Sequence, residues 1–450
     1  MPEAFAPNAA TSDAFTVRRL SDIRADDLRR RLRRSSEAIF NDRMRAYARS
    51  VLEDVARDGD AAVSAYTLRW DGVKLGPQDF AVGAGELSGA QKAIDEDLRR
   101  ALEAAIARSR QYNEWLRPPT RATVQLEAGV AAGIQYAAAR SAGIYVPSGK
   151  GTFPSTLVAL VTPAVVAGVT DITVVVPPRR DGSVDPAILA AAHMLGLTRI
   201  FRCNGAAGVA ALAVGTETIP KTDIIVGPGN PVIAAVQQAA AAYGARPLVT
   251  LGPSEAIILA DGSADPDYLA IDLLNEAEHG ADSAAILLAT EAAVAERAVA
   301  VIPRYLERLP EPRRSFARSA VTDLGGVFVA DLDEAIAWIN LYAPEHLQLA
   351  VGDPMAVAAR IRHAGEILIG QTTPFAAANY AIGVPAALPT GGAAAAASGV
   401  TVLSFLKATS IAALTAEGLR AVAPVAIALG RYEGFPAHVQ AITEREGGRG

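Results

Sequence analysis

Three short segments place a histidine near carboxylates, a combination used both in general acid–base catalysis and in metal binding. They are EAEH at 276–279, APEH at 343–346 and EGFPAH at 433–438. Only five histidines occur in the 450 residues, and the other two, His193 and His363, lie in helical patterns where a structural role is the simpler interpretation. The candidate chemistry is therefore concentrated in these three segments.

In EAEH, Glu276 and His279 are three residues apart. On a helix this spacing puts both side chains on one face, where they could share an ion. The pattern fits half of a metal site, and it equally fits a surface hydrogen bond.

In APEH, Pro344 disfavours helix at the preceding residue, so we expect Glu345 and His346 to lie together on one loop. Histidine titrates near neutral pH and can take a proton from an alcohol, while a neighbouring carboxylate can activate water. The alternative is a surface Glu–His pair without catalytic work.

Two glycine-rich turns follow predicted strands and precede predicted helices: SGKGTFPST at 148–156 and VGPGNP at 226–231. Helix N-termini after parallel strands attract phosphates and carboxylates. Neither turn matches G-x-G-x-x-G, so tight turns needed only for packing explain them as well.

The elements that must position these residues alternate between short β-rich runs and helical patterns, which predicts parallel, doubly wound sheets. Residues 143–254 form one predicted unit and 255–395 another, which residues 40–142 are expected to complete with helices and one hairpin. A helical segment, 1–39, and a mainly helical C-terminal dimerisation tail, 396–450, complete the predicted domains. The predicted strands are GIYVP, DITVVVP, RIFRC, DIIVG and PLVTL in the first unit, and AIILA, AAILLAT, GVFVA and EILIG in the second.

Composition argues against several classes of protein, among them nucleic-acid-binding, disulfide-stabilised and membrane proteins. A net charge of -6 argues against nucleic-acid binding, and the basic run RRRLRR at 29–34 is most simply a solvated helix face. The single cysteine, Cys203, excludes an internal disulfide. With no signal-like N-terminus and no membrane-length apolar stretch, we predict a cytoplasmic protein that does not bind membranes.

Taken in order, six motifs resemble the histidinol dehydrogenase family: GIYVPSGKGTFPST, GTETIPKTDIIVGPGN, GPSE, EAEH, APEHLQL and EGFPAH. The resemblance covers roughly residues 30 to 445. It implies an α/β fold of two Rossmann-like parallel-sheet domains and a homodimer with exchanged C-terminal tails. It also implies one zinc per site and NAD-dependent oxidation of a small-molecule amino alcohol through a bound aldehyde to a carboxylate.

The resemblance also assigns roles. His346 corresponds to the base in alcohol oxidation and Glu345 to the group that activates water. Tyr145 and Asn230 match positions that contact NAD. Ser254 and Glu433 match substrate contacts.

The zinc ligands of the family are Gln, His, Asp and His, whereas the matching residues here are Glu276, His279, Asn379 and His438. Two ligand types have changed in opposite directions, so the ligand set still carries one negative charge. We predict that zinc is retained; the alternative is drift of both positions after metal loss.

Two further departures concern substrate and cofactor. Ala386 stands where the family carries a histidine that contacts substrate, and Ala207 replaces a glutamine that contacts the nucleotide. Losing a polar partner in a closed site changes which substrates fit. We therefore predict a paralogue that oxidises another alcohol. True histidinol dehydrogenase, release of the aldehyde after one oxidation, and a non-catalytic dimeric ligand-binding descendant remain as alternatives.

Overall fold

The computed structural model describes residues 15–23, 41–148, 151–248 and 252–446. Its α-helices are α1 Asp42–Asp71, α2 Pro77–Phe80, α3 Ala84–Gly89, α4 Glu96–Leu116, α5 Pro154–Ala167, α6 Pro186–Met194, α7 Gly205–Val214, α8 Pro231–Ala239, α9 Pro266–Ala277, α10 Ala292–Leu306, α11 Arg313–Ser319, α12 Leu332–Tyr342, α13 Pro354–Ala358, α14 Phe375–Ala377, α15 Ala416–Tyr432 and α16 Pro436–Glu446. Its strands are β1 Val17–Arg19, β2 Arg121–Glu127, β3 Val130–Ala138, β4 Ser141–Tyr145, β5 Asp171–Val176, β6 Arg199–Arg202, β7 Ile224–Val226, β8 Arg246–Pro247, β9 Glu255–Ala260, β10 Ala284–Ala289, β11 Gly326–Val329, β12 His346–Ala350, β13 Glu366–Ile369 and β14 Leu406–Leu414.

Two parallel sheets form the centre of the molecule, in the orders β6-β5-β4-β7-β8 and β1-β11-β10-β9-β12-β13. In each, the first strand of the repeating unit lies centrally, and the chain then builds outward on one side before crossing to the other. This is Rossmann-like topology, with the crossing points between β4 and β7 and between β9 and β12. The predicted pair of Rossmann-like units is confirmed.

Both sheets are covered on two faces, as parallel sheets require. In β9, Ile258 belongs to one apolar cluster, while Ile257 and Leu259 belong to the cluster on the other face. In β4, Ile144 and Tyr145 divide between two further clusters in the same way. The continuous apolar runs of the sequence are therefore strands buried on both sides.

The helices of residues 42–116 pack differently from the prediction. We expected them to complete the 255–395 unit, but α1 packs on α7 and α8, and α4 packs on α5, all attached to the 141–247 sheet. Hydrogen bonds join the same parts, from Asn204 N to Thr67 Oγ1 at 2.9 Å and from Asp60 N to Glu217 Oε2 at 2.9 Å. The apolar stripe of α1 is equally able to cover either sheet, so the pattern alone did not identify its partner.

Three segments that we expected to be helical or in a loop form β-strands in the structure. Residues 17–19 of the predicted N-terminal helical segment pair with β11, whereas RRRLRR and most of that segment lie outside the described residues. The predicted hairpin, β2 and β3, is extended by β14 from the C-terminal tail, which was expected to be helical here. His346, expected on a loop, opens β12.

None of the helices in the described ranges is both long enough and apolar enough to cross a membrane.

Candidate active site

A cavity of about 330 Å³ lies between the two parallel sheets. On one side it meets the carboxyl ends of β4 and β7, at the crossing point of the 141–247 sheet. On the other side it meets the amino end of β12 and the carboxyl end of α9. One sheet therefore presents the edge where Rossmann-like folds bind nucleotides, and the other presents its opposite edge.

Tyr145 and Asn230 both line the side of this cavity that the carboxyl ends of β4 and β7 form. The turn after β7 passes so close to β4 that a Cβ at Gly227 would lie 2.1 Å from the carbonyl oxygen of Tyr145, so only glycine fits. Asn230 caps α8, because its Oδ1 accepts hydrogen bonds from the backbone of Val232 and Ile233.

The N-terminus of α5 also faces the cavity, through Ser155 and Thr156. Its N-cap residue, Phe153, makes no side-chain capping hydrogen bond, unlike Asn230 in α8. Helix N-termini with open N–H groups suit a pyrophosphate. Of the two helix N-termini at the cavity, that of α5 therefore leaves more N–H groups open to an anion than that of α8.

Glu345 and His346 lie on the opposite wall, buried and directly adjacent to the cavity. The helix α12 ends in Ala343 with φ of 51°, a left-handed conformation unusual for alanine, and the chain then turns into β12. The Oε2 atom of Glu345 accepts a hydrogen bond from the backbone N–H of Glu255 at 3.0 Å. His346 Nε2 lies 3.7 Å from Glu345 Oε1. The Glu345 side chain is thus fixed by a backbone hydrogen bond, and His346 is fixed by its place at the start of β12.

The electrostatics of this wall reflect burial among carboxylates. Burial raises the pKa of Glu345 to about 8; His346 opposes this shift, and the charge of Glu276 adds to it. Burial by itself lowers the pKa of the His346 imidazole. The carboxylates of Glu276, Glu345 and Glu366 outweigh that effect and raise this pKa to about 10.

Three of the four predicted metal ligands meet at one end of the cavity. Glu276 is 1% exposed, and its Oε1 accepts a hydrogen bond from Asn379 Nδ2 at 2.8 Å. Its Oε2 lies 3.4 Å from His279 Nδ1. The two residues that depart from the family's ligand types are therefore in direct contact, and an amide still faces a carboxylate.

The fourth predicted ligand, His438, lies elsewhere in its own chain. It packs against Phe435 in the C-terminal helices, with a ring-centre distance of 5.1 Å, and does not line the cavity. Glu433 is exposed in the same region and is also absent from the lining. In the described ranges no three His, Cys, Asp or Glu side chains form a metal-sized group. Beside Glu276 and His279, the Asn379 amide oxygen is a further donor that this chain offers to a metal at this end of the cavity.

The positions predicted to contact substrate also lie partly at the cavity and partly away from it. Ser254 and Ala386 both line the cavity, and Ala386 continues into an apolar stretch through Leu388. Ala207 is fully buried in α7. The structure brings together the predicted residues Tyr145, Asn230, Ser254, Glu276, His279, Glu345, His346 and Asn379.

Sequence reasoning missed two residues that contact His346. Glu366 Oε1 lies 2.5 Å from His346 Nδ1, and the Phe375 ring meets the imidazole edge-on at 5.8 Å. Both come from segments that carry no recognisable motif. A charged residue opening a strand, EILIG, was the one available signal.

A second buried carboxylate, Asp272, lies behind this wall and accepts a hydrogen bond from Gln348 Nε2 at 2.7 Å. Burial raises its pKa to about 6. Because this value exceeds that of an unfolded aspartate, its contribution to stability is present at low pH and is lost as pH rises from about 4 through 6.

We therefore expect Asp272→Asn to stabilise the protein at pH 8 by up to about 3 kcal/mol and to have little effect at pH 4. The amide keeps an acceptor for Gln348 and removes the buried charge. Urea unfolding at the two pH values measures the difference, and an equal gain at both would contradict it.

Comparison with known proteins gives a consistent result. The family model for histidinol dehydrogenase matches residues 34–446. A histidinol dehydrogenase of Synechocystis sp. is 41% identical over 435 residues, covering 96% of this chain and 99% of the relative. A histidinol dehydrogenase homolog of Colwellia psychrerythraea is 37% identical over 429 residues, covering 95% and 96%. The crystal structure of histidinol dehydrogenase from Elizabethkingia anophelis matches with a TM-score of 0.86 at 33% identity, covering 89% of this chain and 91% of that one. The chain belongs to the histidinol dehydrogenase family.

Proposed function

We propose that this protein is an NAD-dependent dehydrogenase that oxidises a primary amino alcohol through a bound aldehyde to a carboxylate, and that its substrate is not histidinol. The observation that carries the oxidation is the position of Glu345 and His346 across one cavity from the nucleotide-binding edge of a Rossmann-like sheet. The acid–base groups and the cofactor can thus reach the same carbon atom.

In the first step, the neutral form of His346 accepts the hydroxyl proton of the alcohol at Nε2; with a pKa of about 10, this form becomes abundant only at alkaline pH. When bound, NAD supplies the acceptor for the hydride that leaves the same carbon. Glu345 then takes a proton from water that attacks the retained aldehyde. A second NAD, when bound, would accept the hydride as the resulting gem-diol is oxidised to the carboxylate. Burial of both residues excludes bulk water from this wall.

Zinc fits the residues present. Glu276, His279 and the amide oxygen of Asn379 would hold it, a mixed nitrogen and oxygen set that zinc accepts. Bound there, zinc would hold polar groups of the substrate and act as a Lewis acid.

The substrate proposal depends on Ala386, whose methyl group lines the cavity and cannot hydrogen-bond. We expect histidinol turnover at least about 10²-fold slower than that of the true substrate, which a panel of amino alcohols should identify. Ala386→His should raise the kcat/KM for histidinol.

Ordinary turnover of histidinol by the unmodified protein would instead establish true histidinol dehydrogenase. That alternative is favoured by the name of the Synechocystis relative. Calorimetry without any NAD binding would favour a non-catalytic descendant.

We also propose a homodimer in which each C-terminal tail completes the partner's site. The helices α15 and α16 pack mainly on each other, leaving an exposed apolar face formed by Val425, Leu429, Tyr432 and Phe435. His438 and Glu433 lie outside the cavity of their own chain, as an exchanged tail requires.

Mixing inactive variants tests this exchange. His346→Gln and His438→Ala are expected to lack activity separately. After unfolding and refolding together they should recover about a quarter of the wild-type activity, because half of the random dimers contain one intact site. No recovery in the mixture, with dimers present by light scattering, would contradict the exchange.

A further inference from the structure

Glu366 is a buried carboxylate without an assigned role, and the fold places it beside His346. The strands β12 and β13 are parallel neighbours, with His346 and Glu366 as direct partners in the register. Partners in register present their side chains on the same face of a sheet, about one strand spacing apart. The contact is therefore built into the pairing of two strands.

The contact between Glu366 and His346 is short, and Glu366 makes no other side-chain hydrogen bond in the described part of the chain. Glu366 Oε1 lies 2.5 Å from His346 Nδ1, and the two side chains are 8% and 4% exposed. The second oxygen, Oε2, is buried and has no hydrogen-bond partner in the described part of the chain. The carboxylate thus directs its hydrogen bonding at one ring nitrogen. A carboxylate accepts hydrogen bonds, so Nδ1 must carry the proton.

The rest of the surroundings fixes which nitrogen faces the cavity. Nε2 points toward Glu345 Oε1 at 3.7 Å and Glu276 Oε2 at 3.8 Å, the side on which the substrate binds in the proposed mechanism. Phe375 is fully buried and meets the ring edge-on, which limits its rotation.

We propose that Glu366 is a positioning residue, which holds the proton of His346 on Nδ1 and so reserves Nε2 as the atom that takes the substrate's hydroxyl proton. This role rests on the proposed dehydrogenase function. In the step it supports, the hydroxyl proton moves to Nε2, the hydride leaves the substrate carbon for NAD, and the carbonyl bond forms. The proton on Nδ1 stays in place, and its hydrogen bond to Glu366 stabilises the imidazolium that results.

The geometry is tested by proton NMR of protein labelled with ¹⁵N-histidine, which needs no substrate. The Nδ1 proton should give a ¹⁵N-coupled resonance well downfield of the amides, assigned by its loss in His346→Gln. Glu366→Gln should shift this resonance strongly upfield or remove it, while Glu366→Asp should retain it in part. Asp272→Asn is the matched control, because it alters a buried carboxylate that contacts Gln348 on the same strand, and it should leave the resonance unchanged.

Kinetics test the consequence. With the amino alcohol found in the panel, Glu366→Gln should lower kcat by about 10²-fold while KM stays within about threefold, since Glu366 does not line the cavity. Glu366→Asp should recover about tenfold of this loss, and Asp272→Asn should match the wild type. A resonance missing from the wild type, or unshifted in Glu366→Gln, would overturn the positioning role whatever the kinetics. Wild-type protein that reduces no NAD with any alcohol would instead overturn the proposed function and leave the NMR result standing.

Discussion

Glu345→Gln is expected to stop the reaction at the aldehyde. The amide keeps an oxygen that can accept the backbone hydrogen bond from Glu255, so the turn into β12 should persist. It cannot take a proton from water, so we expect the oxidation of the aldehyde to slow by about 10²–10⁴-fold. The first oxidation uses His346 and should continue.

The measurement is the yield of NADH per alcohol consumed, which should fall from two to one, together with trapping of the aldehyde by a hydrazine. Glu278→Gln is the control, because Glu278 lies two residues from Glu276 without lining the cavity. An unchanged yield of two NADH from Glu345→Gln would show that another group activates the water. A yield of one from the wild type would show that the enzyme releases the aldehyde.

The contact between Glu276 and Asn379 predicts that the two positions act as a pair. Glu276→Gln alone leaves an uncharged ligand set and should weaken zinc binding by about 10²-fold. Asn379→Asp alone brings a second carboxylate against the first and should destabilise the metal-free protein. The double variant restores one negative charge and an amide–carboxylate contact, so we expect it to bind zinc nearly as the wild type does.

Zinc content by elemental analysis and the Tm with and without chelator measure this cycle, and neither requires turnover. Wild-type protein purified without chelator should contain about one zinc per chain and should lose stability when chelator removes it. Glu278→Gln should behave as the wild type in both measurements. Wild-type protein that contains no zinc and ignores chelator would show that the Glu276–Asn379 hydrogen bond has replaced the metal.

The fold could be predicted from the sequence where burial imposes a local pattern. The strand at 284–289, for example, is a continuous apolar run, because both of its faces are covered. The strand β12 escaped this reasoning, since it opens with the polar residue His346, directly after Glu345. The partner of α1 also escaped it, because an apolar stripe identifies a buried face without specifying which sheet buries it.

The candidate site was predictable where the chemistry is contiguous in the chain. Glu345 and His346 are neighbours, and Glu276 and His279 share one helix turn, so spacing alone drew attention to them. Glu366 lies twenty residues beyond His346 and reaches it only through the register of two strands. Long-range pairing of this kind leaves no spacing signal.

The meeting of opposite sheet edges at one cavity has an evolutionary consequence. The wall proposed to bind the nucleotide comes from residues 145–230, the wall proposed to carry the acid–base pair from 254–346, and the apolar stretch at Ala386–Leu388 from a third part of the chain. Selection can therefore act on each part of the reaction through different codons. Such an enzyme can drift toward a new alcohol while its hydride and proton transfers are inherited unchanged.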